Sequence, residues 1–282
     1  MLDKALYPSP LRYPGGKACL SDQLRKIIES NQLNGINYAE PFAGGAGLAL
    51  SLLMDHTVSQ TYLNDLDSAV FAFWSSVLEE TSELCQMIMD TPVTIEEWHR
   101  QKHVLSHPSE YSVLELGFAT FFLNRTNRSG IIEGGIIGGK KQTGDYKLDC
   151  RFNKNNLVHK IESIATRKRD ISLTRFDASE FITEVVNNSS GECLSFIDPP
   201  YYEKGHELYF NSLDHEGHRK LSIIIQNTLQ GRWIVTYDDV PEINALYASS
   251  PMIRYSINYS AQIKKKGWEV MYHSTNLQIP EY

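Results

Sequence analysis

Apolar residues between positions 18 and 30 recur at the three- and four-residue spacing of one helix face, directly after a Pro-Gly-Gly turn. A short apolar stretch at 36–39 predicts a strand that runs into a Gly-rich loop, and 46–54 predicts the helix that follows. The alternation then repeats. Strands are predicted at 61–63, 171–173, 193–197 and 233–236, and helices over 70–78, 113–123, 155–167 and 214–229. The stretch 193–197, Cys-Leu-Ser-Phe-Ile, is almost wholly apolar, the pattern of a strand covered on both faces of a parallel sheet. Residues 252–259 and 268–273 predict two antiparallel strands around a Lys264-Lys265-Lys266-Gly267 turn. Strands alternating with helices predict an α/β fold on a doubly wound, Rossmann-like sheet.

The period breaks at 124–153, where Gly, Asn and basic residues dominate. That predicts a long functional loop or irregular lobe. We therefore expect an inserted, mostly helical lobe at 73–170 within a sheet domain formed by 1–72 and 171–282. A chain of 282 residues with 41% hydrophobic content supports both. No apolar run is long enough to cross a bilayer, and the N-terminus lacks the apolar core of a signal peptide. Cys19, Cys85, Cys150 and Cys193 have neither metal-ligand nor redox-motif spacing, which predicts free thiols in a reducing cytoplasm.

Charge changes the picture. The net charge of −7 argues against a nucleic-acid partner, but its distribution does not. Residues 124–175 hold twelve Lys and Arg against five Asp and Glu, a local +7, and the remainder carries −14. Such asymmetry is the footprint of a localised polyanion site.

Two constellations carry chemistry. Glu40-Pro41-Phe42-Ala43-Gly44-Gly45-Ala46-Gly47 follows a strand and opens a helix, and Asp65 ends the next strand. Glycines let a ligand approach the backbone closely, and the carboxylate can accept both ribose hydroxyls of an adenosine. The dinucleotide pattern fails at its third glycine, and Leu11 to Ala18 fails as a phosphate loop at both ends. S-adenosylmethionine, which has no phosphates, fits. The second constellation, Asp198-Pro199-Pro200-Tyr201, ends the apolar strand. An adenine amine is a poor nucleophile because its lone pair is delocalised into the ring. The Asp198 carboxylate and the Pro199 carbonyl can each accept one N6–H and free that lone pair. The prolines stiffen the carbonyl and bring no competing donor. Tyr201 offers a ring on which an extruded base can stack.

With these residues in view, the sequence resembles the Dam-like N6-adenine DNA methyltransferases over most of its length. Tyr13-Pro14-Gly15-Gly16-Lys17 is similar to the family's Trp-Ala-Gly-Gly-Lys element, and 40–47 and Asn64-Asp65 to its donor loop and acidic strand end. Asn124-Arg125-Thr126-Asn127 resembles the Asn-Arg segment of its DNA-recognition lobe, and 198–201 its catalytic tetrad. The late strand 233–238 resembles one that usually ends in Ser-Tyr-Asp. The resemblance implies that Tyr13, Gly15, Lys17, Phe42, Gly44, Asp65 and Asp198 bind S-adenosylmethionine, with Asp177 beside the donor adenine. It implies that Asp198, Pro199 and Tyr201 act on the target amine. Residues 128–144 depart from the usual Cys-Phe-Asn-Gly continuation, so the recognition sequence of better-known relatives does not transfer.

For double-stranded DNA, Asn124, Arg125, Asn127 and Arg128 are expected in the interface, Arg125 and Arg128 nearer the bases, with Lys140, Lys141, Lys147 and Lys154 on phosphates. His99 and His103 lie four apart, and His215 and His218 three, without the companions a metal site needs, so no metal is expected. Phe118, Phe121 and Phe122 read as helix core. The expectation is a cytoplasmic enzyme of a bacterial or phage-infected cell that methylates adenine N6 after base flipping, with the oligomeric state left open and a monomer compatible. Methylation of cytosine N4 or of RNA, or a non-catalytic DNA-binding module with a vestigial donor pocket, are the alternatives.

Overall fold

The computed structural model describes residues 8–13, 15–202, 213–259 and 265–280. Seven strands form one sheet: β1 (Ile36–Glu40), β2 (Val58–Asn64), β3 (Ile171–Thr174), β4 (Cys193–Ile197), β5 (Arg232–Asp238), β6 (Met252–Tyr259) and β7 (Lys265–His273). Their order is β3-β2-β1-β4-β5-β7-β6. The pairs β1–β2, β2–β3, β1–β4 and β4–β5 are parallel, and β7 runs antiparallel to both β5 and β6. The order reverses between β1 and β4, so connections leaving these neighbours diverge and open a crevice at their carboxyl ends. Glu40 and Asp198 stand there.

The expected α/β sheet is present, with one local correction. Pairing of β6 with β7 continues to Tyr259↔Lys265, so Lys265, Lys266 and Gly267 are strand residues. Lys264, the first residue of the expected turn, lies outside the described residues.

Contacts divide the chain into two compact units, Met1–Gly16 with Ser68–Arg169, and Lys17–Asp67 with Asp170–Tyr282. The sheet lies wholly in the second. Period-two alternation sorts its faces. Tyr38 and Glu40 on β1 face α2 (Gly47–Met54), where the Ala49 N–H donates to Glu40 at 3.1 Å. On the other face Ile197, Trp233, Val235 and Tyr237 pack with Leu221 and Ile225 of α9 (His215–Asn227) and Ile243 of α10 (Pro241–Leu246). Ala39 and Cys193 pack there with Phe181, which ends α8 (Ala178–Phe181). The same unit holds α1 (Ser21–Ser30) and the 3-10 turn Lys17–Leu20 before it.

The first unit is mostly helical: α3 (Ser68–Glu79), α4 (Thr81–Asp90), α5 (Ile95–Ser106), α6 (Val113–Thr126) and α7 (Lys154–Ala165). Ser112 and Glu115 close a reciprocal capping box at the start of α6. Phe118, Phe121 and Phe122 are buried, and Phe121 stacks on Phe73 of α3. Gly117 lets α3 and α6 meet: a Cβ there would lie 2.4 Å from Ser76 Oγ and 2.6 Å from the Ala72 carbonyl. Gly117→Ala is therefore expected to destabilise this unit by about 1–3 kcal/mol, read as a lower urea midpoint, and an unchanged midpoint would contradict the close approach.

The unit boundary corrects the expectation that residues 1–72 form one body. Residues before Lys17 belong with the helical unit because Asn124 of α6 grips them. Its side chain accepts from the Arg12 N–H at 2.8 Å and donates to the Arg12 and Gly130 carbonyls at 2.9 and 2.7 Å. Gly130, at φ +78°, passes so near that a Cβ would fall 1.9 Å from the Arg12 carbonyl oxygen. Three short, locally satisfied hydrogen bonds outweigh chain order in deciding where this segment packs.

Candidate active site

At the carboxyl end of β4 the chain turns out of the sheet through Asp198-Pro199-Pro200-Tyr201. Asp198 is held from two sides. Lys17, first residue of its 3-10 turn, donates to both carboxylate oxygens at 2.7 and 2.9 Å, and Thr236 of β5 donates to Oδ1 at 2.7 Å. Lys17 is buried with 2% of its side chain exposed, whereas Asp198 keeps 21%, so the carboxylate remains open to a ligand. Burial pushes the Asp198 carboxyl up, and the Lys17 ammonium draws it back. Among the described residues no hydrogen bond reaches the Pro199 carbonyl, which is left as an acceptor.

Tyr201 differs from its expected setting. Its ring is buried, the Lys17 ammonium sits 5.1 Å from its centroid, and its hydroxyl donates to Glu269 of β7 at 2.8 Å. Lys17 also donates to that hydroxyl at 3.3 Å, so the oxygen is engaged from two sides. Beyond it, the Tyr202 N–H donates to Asp238 at the end of β5, fixing where the tetrad leaves the sheet.

The donor loop is built across β1 and β2. Gly44 sits at φ +46° and donates its N–H to Asp65 Oδ2 at 2.8 Å, while the Asp67 N–H donates to Oδ1 at 3.0 Å. Each Asp65 oxygen keeps capacity for a second donor, which fits a ribose diol. Burial pushes the Asp65 carboxyl up to about 7. Ala46, at φ +46°, precedes α2 in a left-handed conformation that is strained for a residue with a side chain. Phe42 is half-buried and packs on the core face of β4 and β5. Asp177 is exposed and accepts the Ser179 N–H as the N-cap of α8, a structural use beside its expected place near the donor. Tyr13 and Gly15 belong to the helical unit.

Four supporting residues had no role expected of them, although Glu40, Asn64 and Thr236 lie within the sequence motifs. Asn64 ties three strand ends: it donates to the Pro41 and Phe176 carbonyls and accepts from Thr174 and the Phe176 N–H. Thr236 and Glu269 reach Asp198 and Tyr201 as described. Glu40 is buried, accepts from Tyr38 and the Ala49 N–H, and is pushed up to about 8 by burial. Any signal for Glu40 and Asn64 lay in polar residues that close their strands.

These raised carboxyls set a sign for stability. From the ordinary carboxylate range up to about pH 7 for Asp65 and about pH 8 for Glu40, the folded chain keeps protons that the unfolded chain has released. Their contribution to stability therefore falls as pH rises through that window. Glu40→Gln preserves the acceptor and cannot ionise. It is expected to flatten the upper part of the decline in urea midpoint with pH, and an unaltered slope would refute the assignment.

In the helical unit the lobe candidates separate. Asn124 and Asn127 are buried, at odds with their expected place in the DNA interface: Asn127 accepts from Trp98 Nε1 and donates to the Ile131 and Ile132 carbonyls. Arg125 donates to the Arg151 and Pro10 carbonyls, and burial among neighbouring arginines lowers it to about 10. Lys147 donates to the Gln142 and Gly144 carbonyls, and Lys154 to those of Met89 and Thr91 at the end of α4. Each satisfies backbone acceptors that the irregular loop or helix end leaves open. Arg128, Lys140 and Lys141 are exposed, and their side chains make no hydrogen bond or ion pair to any described residue. Among the described residues, no group of three His, Cys, Asp or Glu side chains could hold a metal, and no helix is long and apolar enough to cross a membrane.

The model of the D12 class N6 adenine-specific DNA methyltransferase family matches residues 13–266. No curated protein matches the sequence. Among solved structures, a protein from Pyrococcus horikoshii described as an RNA methyltransferase is 9% identical, with 97% of this chain and 90% of that chain covered and a TM-score of 0.44. The rRNA methyltransferase AviRa from Streptomyces viridochromogenes is 13% identical, covering 93% and 85%, with a TM-score of 0.41. TrmK from M. capricolum, solved with S-adenosyl-homocysteine, is 9% identical, covering 89% and 69%, with a TM-score of 0.37.

Proposed function

Because the chain belongs to the D12 class N6 adenine-specific DNA methyltransferase family, we propose that it methylates N6 of one adenine per site in double-stranded DNA, with S-adenosylmethionine as donor and the base flipped out of the helix. One observation carries the reading. Asp198, held by Lys17 and Thr236 yet partly open, stands beside an unclaimed Pro199 carbonyl at the β1/β4 switch point.

S-adenosylmethionine supplies an electrophilic methyl group on a sulfonium. Asp65 and the Gly44 loop hold its ribose, at the edge where Asp198 stands. Asp198 and the Pro199 carbonyl each accept one N6–H, drawing the nitrogen toward tetrahedral form. The same acceptors stabilise positive charge as it develops on the amine, a preorganised electrostatic contribution. The proton leaves after attack, so no strong base is required. Donor binding needs neither DNA nor metal on this account. Calorimetry on the purified chain in chelator is expected to show near-stoichiometric binding of S-adenosylmethionine. A folded sample that binds none, or binds only with added metal, would exclude the reading.

A further inference from the structure

We propose that Glu269 is a positioning residue of this site: a buried carboxylate on β7 that fixes the Tyr201 hydroxyl and shares the Lys17 ammonium with Asp198. The proposal rests on the reading that Asp198 accepts the target amine. Glu269 pairs with Asp238 in register, which places it at the carboxyl end of β5, beside the tetrad. It is fully buried. A carboxylate without water is costly unless its oxygens are filled. Here Oε1 accepts from Tyr201 at 2.8 Å, and Oε2 accepts from Tyr255 of β6 and lies 3.7 Å from Lys17 Nζ.

Two consequences follow from charge and geometry. The Tyr201 hydroxyl oxygen lies on the ring axis, so its bond to Glu269 anchors the far end of that ring from β7. Lys17 lies between two carboxylates, nearer Asp198 at 2.7 Å than Glu269 at 3.7 Å. Sharing Lys17 with a second carboxyl group leaves Asp198 less fully neutralised, which favours positive charge growing on the amine. Without Glu269, Lys17 would neutralise Asp198 more completely, and the amine would meet a weaker acceptor. Among the described residues, the ionisable groups that face Glu269 and its partners include Lys17, Cys19, Asp198, Tyr201 and Tyr255, and Asp198 in turn acts on Tyr38 and Glu40 of β1.

The test compares the wild type, Glu269→Gln and Tyr201→Phe. Activity is read on unmethylated plasmid DNA of mixed sequence with tritiated S-adenosylmethionine. The Tyr201 hydroxyl is read separately by 13Cζ-tyrosine NMR, with the resonance assigned by its absence in Tyr201→Phe. In Glu269→Gln, kcat is expected to fall about tenfold to a hundredfold, the loss of a hydrogen bond to a charged group. The acid limb of its pH profile is expected to move to lower pH, since a negative neighbour of Asp198 is gone, and the Tyr201 resonance is expected to shift. Wild-type kcat, or a reduced kcat with both limb and resonance unmoved, overturns the proposal, the latter because a merely structural role predicts it. If Glu269→Gln does not fold, Tyr201→Phe decides: kcat about tenfold lower at unchanged melting temperature supports the proposal, and wild-type kcat overturns it. A wild type that leaves DNA unmethylated defeats the substrate reading, while the Tyr201 resonance in Glu269→Gln still decides the role of Glu269.

Discussion

Asp198→Ala is expected to lower turnover by about 10²–10³, the usual cost of removing one preorganised group that meets charge developing in the transition state. The structure sharpens this expectation. Three hydrogen bonds converge on Asp198, two from Lys17 and one from Thr236. A carboxylate has about four lone-pair positions, so one remains for the target amine. Alanine removes that acceptor and strips Lys17 of its nearest counter-charge within a buried setting. Asp198→Asn keeps an acceptor oxygen and the Thr236 bond, but turns an N–H2 group toward the ammonium or the amine. It is expected to be nearly as damaging. Single-turnover methylation with labelled donor, alongside calorimetric donor binding, separates a chemical defect from a lost site. Methylation by either variant within a few-fold of wild type would remove Asp198 from its assigned role.

The pattern of apolar positions was enough to place the sheet. The strand at 193–197 has the bounds read from its apolar run, because a strand covered on both faces has no polar residue to blur its ends. Strand β2 is longer than expected, since after Val58 the consecutive exposed Ser59 and Gln60 carry little apolar signal. The short elements 178–181 and 241–246 escape a reading by pattern for a related reason, being too brief to show a period. Around the site, the tetrad and loop were legible because their residue types are unusual at those places. Glu269 was not. It lies 71 residues from Asp198 in sequence and enters only because β7 is inserted antiparallel beside β5, which local pattern does not reveal. In the lobe, the Asn-Arg segment stands out through polar residues on a helix, yet Asn124 and Asn127 spend those amides on backbone carbonyls. A buried amide that organises a loop and an exposed one that reads a base look alike in sequence.

The helical unit carries its charge unevenly, and the second large effect is expected there. Residues 68–123 hold two Lys and Arg against eight Asp and Glu, whereas 124–169 hold eleven against four. One part of the lobe repels a polyanion and the other attracts it. Within the attractive part, Lys147 and Lys154 are tied to backbone carbonyls, while Arg128, Lys140 and Lys141 extend into solvent without partners among the described residues. The proposed grip on DNA therefore falls to these three. Lys140→Ala with Lys141→Ala is expected to weaken binding to every duplex and to flatten the slope of log K against log salt by about 0.9 for each phosphate no longer neutralised. The methylated sequence should stay the same, since a lysine ammonium acts as a point charge on the backbone. Arg128→Ala is expected to cost about 1–3 kcal/mol of discrimination between sites and to broaden the set of adenines modified. Lys147→Ala and Lys154→Ala serve as the contrast: they should lower the melting temperature and leave the salt slope alone. Binding isotherms at several salt concentrations, with modified-base sequencing of DNA from cells expressing each variant, separate these outcomes. An unchanged salt slope in the lysine double variant, together with wild-type site choice in Arg128→Ala, would take this face of the lobe out of the DNA interface.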